Sequence, residues 1–339
     1  MRIRWSFFLA IPFGPLIALA AFLFLFHLQL GVPTLASRWS FELAQKKRAA
    51  AQAIKEPKLI IVAGSSGLFG ISAEEIHRAT GFPTVNFGLH AALGGHYILQ
   101  MARKEMRAGD TVLLAFEYEL YESGNLIADG MNETFLDYVL SRDPEYVRAL
   151  PMRQYAKLVL STPGSRIKLG LRNAFGRQSN LAAPAIGVYS SANISPLGDQ
   201  LGAVRELRPV QYESRIDISH SLASGFSSAA PGFPVIREFC TWARNNGVRV
   251  LATFPNVAYK PEYDRPAAQK APAQIRAFFE SMGVPVLGDA RESILPVEDF
   301  FDTCHHLLQP SSIERTRRLL VHLAPYLKVK PAGRKSGLN

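Results

Sequence analysis

Cysteine is nearly absent from this chain, with only Cys240 and Cys304 among 339 residues. Their spacing matches no zinc pattern, and two cysteines fit either redox compartment, pairing outside the cytosol or staying as buried thiols. The chain also lacks a Gly-x-Gly-x-x-Gly fingerprint, a Walker loop and any internal repeat, which removes the nucleotide-binding folds and repeat architectures read from those signals. No metal or cofactor is expected. Charge is scarce as well, at 19% of residues against 48% hydrophobic, a globular composition with an apolar excess. The net charge of +10 does not point to nucleic acid, because the basic residues are dispersed and no recognition motif accompanies them.

The apolar excess has a visible source. From Phe7 to Leu30 the only ionisable side chain is His27, and at ~1.5 Å per helical residue the run is long enough to cross about 30 Å of hydrocarbon. Arg2 and Arg4 precede it as in a signal sequence, but the run exceeds the roughly 7–15 residues of a cleavable apolar segment, so residues 1–35 read as a retained transmembrane helix in the lipid bilayer. Arg38, Lys46, Lys47 and Arg48 follow closely and compete with Arg2 and Arg4, so flanking charge alone does not orient it. Residues 36–57 read as a polar, Ala-rich helical stalk with its charges mostly solvated. Lys328, Lys330, Arg334 and Lys335 mark 328–339 as a disordered basic tail, and both basic segments suit anionic lipid head groups.

Between stalk and tail the chain alternates. Lys58 to Val62 is a short β-branched run, and Gly64-Ser65-Ser66-Gly67 breaks it. Ser72 with Glu75 three residues on predicts a capping box, and Gly81 a helix stop. Further short strands are expected from Thr84, Thr111, Val248 and Val284, with helices over Ala91 to Arg107, Val235 to Asn246, before Gly283, and from a second capping box at Ser311 and Glu314 to about Leu327. Such runs, too short for buried helices and alternating with helical segments, predict an α/β domain over 58–327 with a mainly parallel five-stranded sheet. Residues 120–233 lose the rhythm and read as an insertion roofing the sheet edge. In it Asp143 before Pro144 predicts a helix start, Arg166, Lys168 and Arg172 a basic amphipathic helix with a solvated face, and Leu181 to Ala230 loops.

A serine on the turn leaving a buried strand stands at the carboxyl edge of the sheet, where open α/β sheets bind ligands, and Ser66 is the candidate nucleophile. A hydroxyl needs a base and the base an orienting acid; Asp302-Thr303-Cys304-His305-His306 supplies both just before the final helix. Gly64-Ser65-Ser66 with Gly70, Asn86-Phe87-Gly88 after the next strand, and this Asp–His segment resemble the blocks of the SGNH/GDSL hydrolase superfamily. That resemblance implies a three-layer α/β/α, flavodoxin-like fold, with Ser66 as nucleophile, Gly88 as oxyanion glycine and Asp302 with a histidine completing the triad. The superfamily's three-residue Asp-to-His spacing selects His305. Leu307 and the Arg315-Thr316 pair instead select His306 and resemble a membrane-anchored subgroup of envelope proteins, those of alginate O-acetylation and of D-alanyl-lipoteichoic acid synthesis. His306 is taken as the base, with His305 the alternative.

One departure stands out: where the superfamily carries an oxyanion asparagine after the third strand, this chain has Glu117-Tyr118-Glu119, and a carboxylate there repels an oxyanion. The backbone N–H groups of Ser66 and Gly88 would then hold the oxyanion, with Asn86 a further candidate and Asn256, after the fourth strand, a substitute from a different direction. The expectation is a single-pass protein of the inner, cytoplasmic bacterial membrane with an exported globular domain. It would act as a serine esterase or O-acyltransferase on an envelope polysaccharide or related polymer. The alternative is a non-catalytic glycan-binding protein or scaffold for a membrane O-acyltransferase.

Overall fold

The computed structural model of the protein describes residues 5–123, 132–177, 187–216, 225–227 and 229–327, with side chains from residue 13 on. The chain forms two compact units, Met1–Phe41 with Ile127–Pro184, and Glu42–Leu126 with Ala185–Asn339. The stalk and insertion expected from sequence are thus each divided between units. The expected tail, 328–339, lies outside the described residues.

In the first unit, helix α1 runs over Trp5–Gln29. Among the described residues no helix is long and apolar enough to cross a membrane; the expected span begins in residues whose side chains lie outside the description. Helix α2, Arg38–Ala53, follows and continues into the second unit.

The second unit is an α/β structure. After α2 come β1 (Leu59–Val62), α3 (Ser65–Gly70), α4 (Ala73–Thr80), β2 (Thr84–Asn86), α5 (Gly95–Arg103), β3 (Thr111–Leu114) and α6 (Tyr118–Glu122). Returning to the first unit, the chain forms α7 (Glu133–Arg142), α8 (Pro144–Arg148), α9 (Met152–Leu160) and α10 (Gly164–Ala174). Asp143 caps α8 by accepting from the Tyr146 N–H, with Pro144 at the start as expected. Helix α10 corrects the amphipathic reading: Lys168 and Arg172 are exposed, but Arg166 is buried, donating to Gln29, Val32, Asp137 and Ser141.

The remainder of the second unit runs through α11 (Tyr212–Ile216), α12 (Gly232–Asn245), β4 (Arg249–Thr253), β5 (Val257–Ala258), α13 (Lys270–Glu280), β6 (Val286–Leu287), β7 (Ile294–Leu295) and α14 (Gln309–Leu323). Five strands form one sheet in the order β2-β1-β3-β4-β6, every pair parallel. All four residues of β1 and of β3 are buried, as continuous Leu/Ile/Val runs in a parallel sheet should be. Strands β4 and β6 begin one and two residues later than expected. The N–H groups of Val248 and Val284 close the preceding helices by bonding Ala243 and Phe279 carbonyls, around Gly247 and Gly283 at φ 69° and 70°.

Leu59 and Ile61 pack with Ile76 of α4 and Leu319 and Leu323 of α14, while α5 packs on β1 and α12 on β4. This is consistent with a three-layer α/β/α arrangement. Ser72 caps α4 by accepting from Glu75 N–H at 3.1 Å, but the reciprocal half of the capping box is missing. The Ser72 N–H goes to Thr316, and the Glu75 carboxylate goes to Arg78 and Arg317. The second capping box does not form. Helix α14 starts at Gln309 with Pro310 in its first turn, Ser311 donates to Asp299, and Glu314 pairs with Arg318. The helix expected from Ala91 is likewise interrupted by Gly94 at φ 79° and ends at Arg103.

The stalk reading is corrected at Lys47. It is fully buried, donating to the Asn86 carbonyl at 2.8 Å, the Asn86 Oδ1 at 3.2 Å and the Gly198 carbonyl at 2.8 Å. Cys240 and Cys304 are separate buried thiols.

Candidate active site

In the order β2-β1-β3 the chain leaves β1 to one side and returns on the other, so the carboxyl ends of β1 and β3 flank the point where an open α/β sheet forms its crevice. Ser65 and Ser66 open α3 at the end of β1, and Glu117 follows β3. The two ends are bonded to each other. Glu117 Oε1 accepts from the Ser66 N–H at 2.6 Å and faces Ser65 Oγ at 3.4 Å; its Oε2 accepts from the Gly64 N–H at 3.1 Å. The Ser66 hydroxyl donates to the Ala115 carbonyl at 3.1 Å, and Ser66 is 1% exposed. Burial raises the Glu117 carboxyl above its ordinary value, while the neighbouring His305 and the Ser66 N–H work the other way.

Asp302 and His306 meet in the loop before α14. Phe301 N–H donates to the His306 carbonyl at 2.6 Å and Phe300 bridges to Leu307, pinching the loop so that two residues four apart face each other. His306 Nδ1 lies 2.7 Å from Asp302 Oδ1, and the Tyr189 hydroxyl donates to Asp302 Oδ2 at 2.5 Å. Burial pushes Asp302 up, but the bonds from His306 and Tyr189 outweigh it and leave the carboxyl below its ordinary value. The His306 ring stacks on Phe69 of α3, with centroids 4.1 Å apart. The candidate base and the candidate nucleophile are therefore supported by one short helix, yet among the described residues no hydrogen bond joins Ser66 to either histidine.

His305 is placed differently. Its Nδ1 is 2.9 Å from the Asn256 carbonyl and its Nε2 is 3.4 Å from Glu119 Oε2. Both nitrogens face acceptors, the setting of an imidazolium. Burial opposes the charge, but Cys304 and Glu119 beside the ring carry His305 well above its ordinary value. A ring committed on both sides has no nitrogen free to take a serine proton.

The expected oxyanion donors are also committed. Gly88 N–H donates to Asn86 Oδ1 at 2.8 Å, and Asn86 Nδ2 donates to the carbonyls of Gly67 and Ile71 at 2.9 and 2.7 Å, tying the β2 turn to α3. Gly88 is required here because a Cβ would fall on the Leu68 backbone nitrogen. Asn256 Nδ2 donates to the His305 carbonyl at 2.7 Å, and its Oδ1, without a partner among the described residues, lies against Gly70. The structure thus joins Asp302 to His306 and Ser66 to Glu117 as two clusters, and gives Asn86, Gly88 and Asn256 to the framework.

Sequence reasoning missed Tyr189, which lies in a stretch with no motif around it, and Phe69, which reads as core. It also missed His90, two residues past Gly88, whose pKa is lowered to about 4 by burial and then by the neighbouring charge of His306. A cavity of about 660 Å³ is lined by Asp299, Leu308, Ser311 and Arg315, and none of Ser66, Asp302 and His306 lines it. Among the described residues no group of three His, Cys, Asp or Glu side chains is placed to hold a metal. No protein-family model and no curated protein matches the chain.

Proposed function

We propose that the chain is a membrane-anchored serine esterase or O-acyltransferase of the SGNH/GDSL type, acting outside the cytoplasmic membrane on an envelope polysaccharide or related polymer. The observation that carries this reading is the Asp302–His306 pair, at 2.7 Å, stacked on the helix that bears Ser66. In that reading Asp302 fixes the His306 tautomer, leaving Nε2 to take the Ser66 proton as Oγ attacks the acyl carbon. The hydroxyl must first turn away from the Ala115 carbonyl. Support for the anchor comes from α1, where Phe13, Leu16, Ile17 and Phe24 are each more than half exposed. Large apolar side chains in that number suit hydrocarbon better than water.

The test is labelling by a serine-directed fluorophosphonate. Wild type should label at Ser66, Ser66→Ala and His306→Ala should not, and His305→Ala should retain most of the reaction. Labelling that survives Ser66→Ala sinks the assignment. Alkaline phosphatase fused after Asn339 should be active, and an active cytoplasmic reporter there would refute the export.

A second reading is favoured by one specific observation: both the N–H and the hydroxyl of Ser66 are already bonded within the protein. A non-catalytic SGNH-like protein that binds glycan, or scaffolds a membrane O-acyltransferase, would leave them so. It predicts no labelling under any condition together with retained glycan binding.

A further inference from the structure

A serine esterase stabilises its tetrahedral intermediate with backbone N–H groups around the nucleophile, and in this chain the N–H of Ser66 is the donor closest to the reacting oxygen. That donor is taken. Glu117 holds it at 2.6 Å, holds the Gly64 N–H at 3.1 Å with its other oxygen, and contacts Ser65 Oγ. Two oxygens of a planar carboxylate on adjacent donors of one turn imitate the charge of an oxyanion and occupy its place. Glu117 is 1% exposed, and a Cβ on Gly64 would fall on its carboxylate, so the turn closes directly over it.

We propose that Glu117 is an internal latch that holds the Ser66 site closed, and that turnover requires its carboxylate to leave the Gly64–Ser66 turn. The proposal rests on the serine-esterase reading and specifies how that site is regulated. An oxyanion and the Glu117 carboxylate cannot share one N–H, because two negative oxygens at the same donor repel. Burial raises the Glu117 carboxyl, His305 is the neighbour that favours its ionised form against that burial, and Glu119 and Tyr121 lie near enough to sense it. Glu117 is also the residue immediately before α6, so a small shift of that helix start withdraws the carboxylate without disturbing β3. Asp302 and His306 stand outside the latch, already assembled, so only the nucleophile's half of the site has to change.

Two variants open the latch by different means. Glu117→Ala removes the carboxylate. Gly64→Ala leaves the carboxylate in the chain but places a methyl where it sits. Both proteins, together with wild type, are treated with a fluorophosphonate, the labelled residue is identified by peptide mapping, and folding is checked by thermal melting. Freeing one oxyanion donor is worth up to about 10²–10³ in rate, so at least a tenfold faster reaction at Ser66 is expected in both variants. Glu117→Gln, which keeps the side-chain volume but sets an NH₂ group against a backbone N–H, should rise a few-fold, and with Gly64→Ala it decides the matter if Glu117→Ala does not fold. Wild type labelling at Ser66 as fast as, or faster than, the variants overturns the latch and leaves the serine mechanism standing. No labelling of any folded variant overturns both.

Discussion

Replacing Tyr189 by Phe removes one oxygen and keeps the ring that packs near Phe69 and His306, with centroids 6.0 and 6.1 Å away. The oxygen lost is the one that donates to Asp302 Oδ2 at 2.5 Å, leaving that half of the carboxylate without its donor while His306 keeps the other half. Hydrogen bonds to charged groups contribute about 1.5–3 kcal/mol, and because Tyr189 is only partly buried the lower end, about 1.5–2 kcal/mol, applies. At roughly 2–4 °C per kcal/mol for a domain of this size, the thermal midpoint at pH 7 should fall by about 3–8 °C. The pH dependence has a definite sign. Asp302 is held below its ordinary pKa in the folded protein, so its stabilisation is present above the unfolded value and lost as pH falls through the folded one. Without Tyr189 the folded pKa rises, the acid limb of stability moves to higher pH, and the gap between the two proteins closes as Asp302 protonates in both. Labelling of Ser66 should slow by less than about tenfold, since Asp302 still orients His306. Melting curves from pH 7 down to pH 3 provide the assay. Equal midpoints at pH 7, or a gap that stays constant to pH 3, would refute the account of how this dyad is held.

Lys47→Ala takes a donor from the buried carbonyls of Asn86 and Gly198, leaves Asn86 Oδ1 with the Gly88 N–H alone, and opens a cavity beside them, so urea unfolding should show a loss of about 3 kcal/mol or more; a change under about 0.5 kcal/mol would contradict the burial of this ammonium. Ser66→Ala removes only the bond to the Ala115 carbonyl and should cost about 1 kcal/mol, measurable by the same method, whereas a cost above about 3 kcal/mol would mean the hydroxyl is a structural element. Glu75 is held at about 2 by Arg78 and Arg317, so its stabilisation is present above its ordinary value and disappears as pH falls towards 2; Glu75→Gln should melt lower than wild type at pH 7 and no lower at pH 2. Gly88→Ala drives a methyl into the Leu68 backbone, and a variant as stable as wild type would show that the β2 turn does not pack on α3 as described.

Five apolar runs too short for helices, separated by helical stretches, were enough to specify a parallel α/β sheet, because burial on both faces leaves a strand no polar alternation. The stops at Gly81, Gly247 and Gly283 were legible for a local reason, a left-handed backbone that only glycine enters freely, at φ 68°, 69° and 70°. Asp302 with a nearby histidine was legible because both lie in one short segment, whereas His306 was preferred to His305 only through the resemblance; three residues separate Asp302 from His306, and a tight pinch joins them. What pairs across the sheet was not. Ser66 and Glu117 are 51 residues apart and Tyr189 and Asp302 are 113 apart, so which side chain reaches which depends on strand order and on the loops that cross the edge. The same holds for charge. A lysine or a histidine in the sequence reads as solvated by default, and only the packed structure decided that Lys47 is enclosed by carbonyls and that His305, one residue from His306, has both its nitrogens committed. Secondary structure follows from short-range sterics and hydrophobic period; the state of a polar group follows from its neighbours in space, and those are set by the fold.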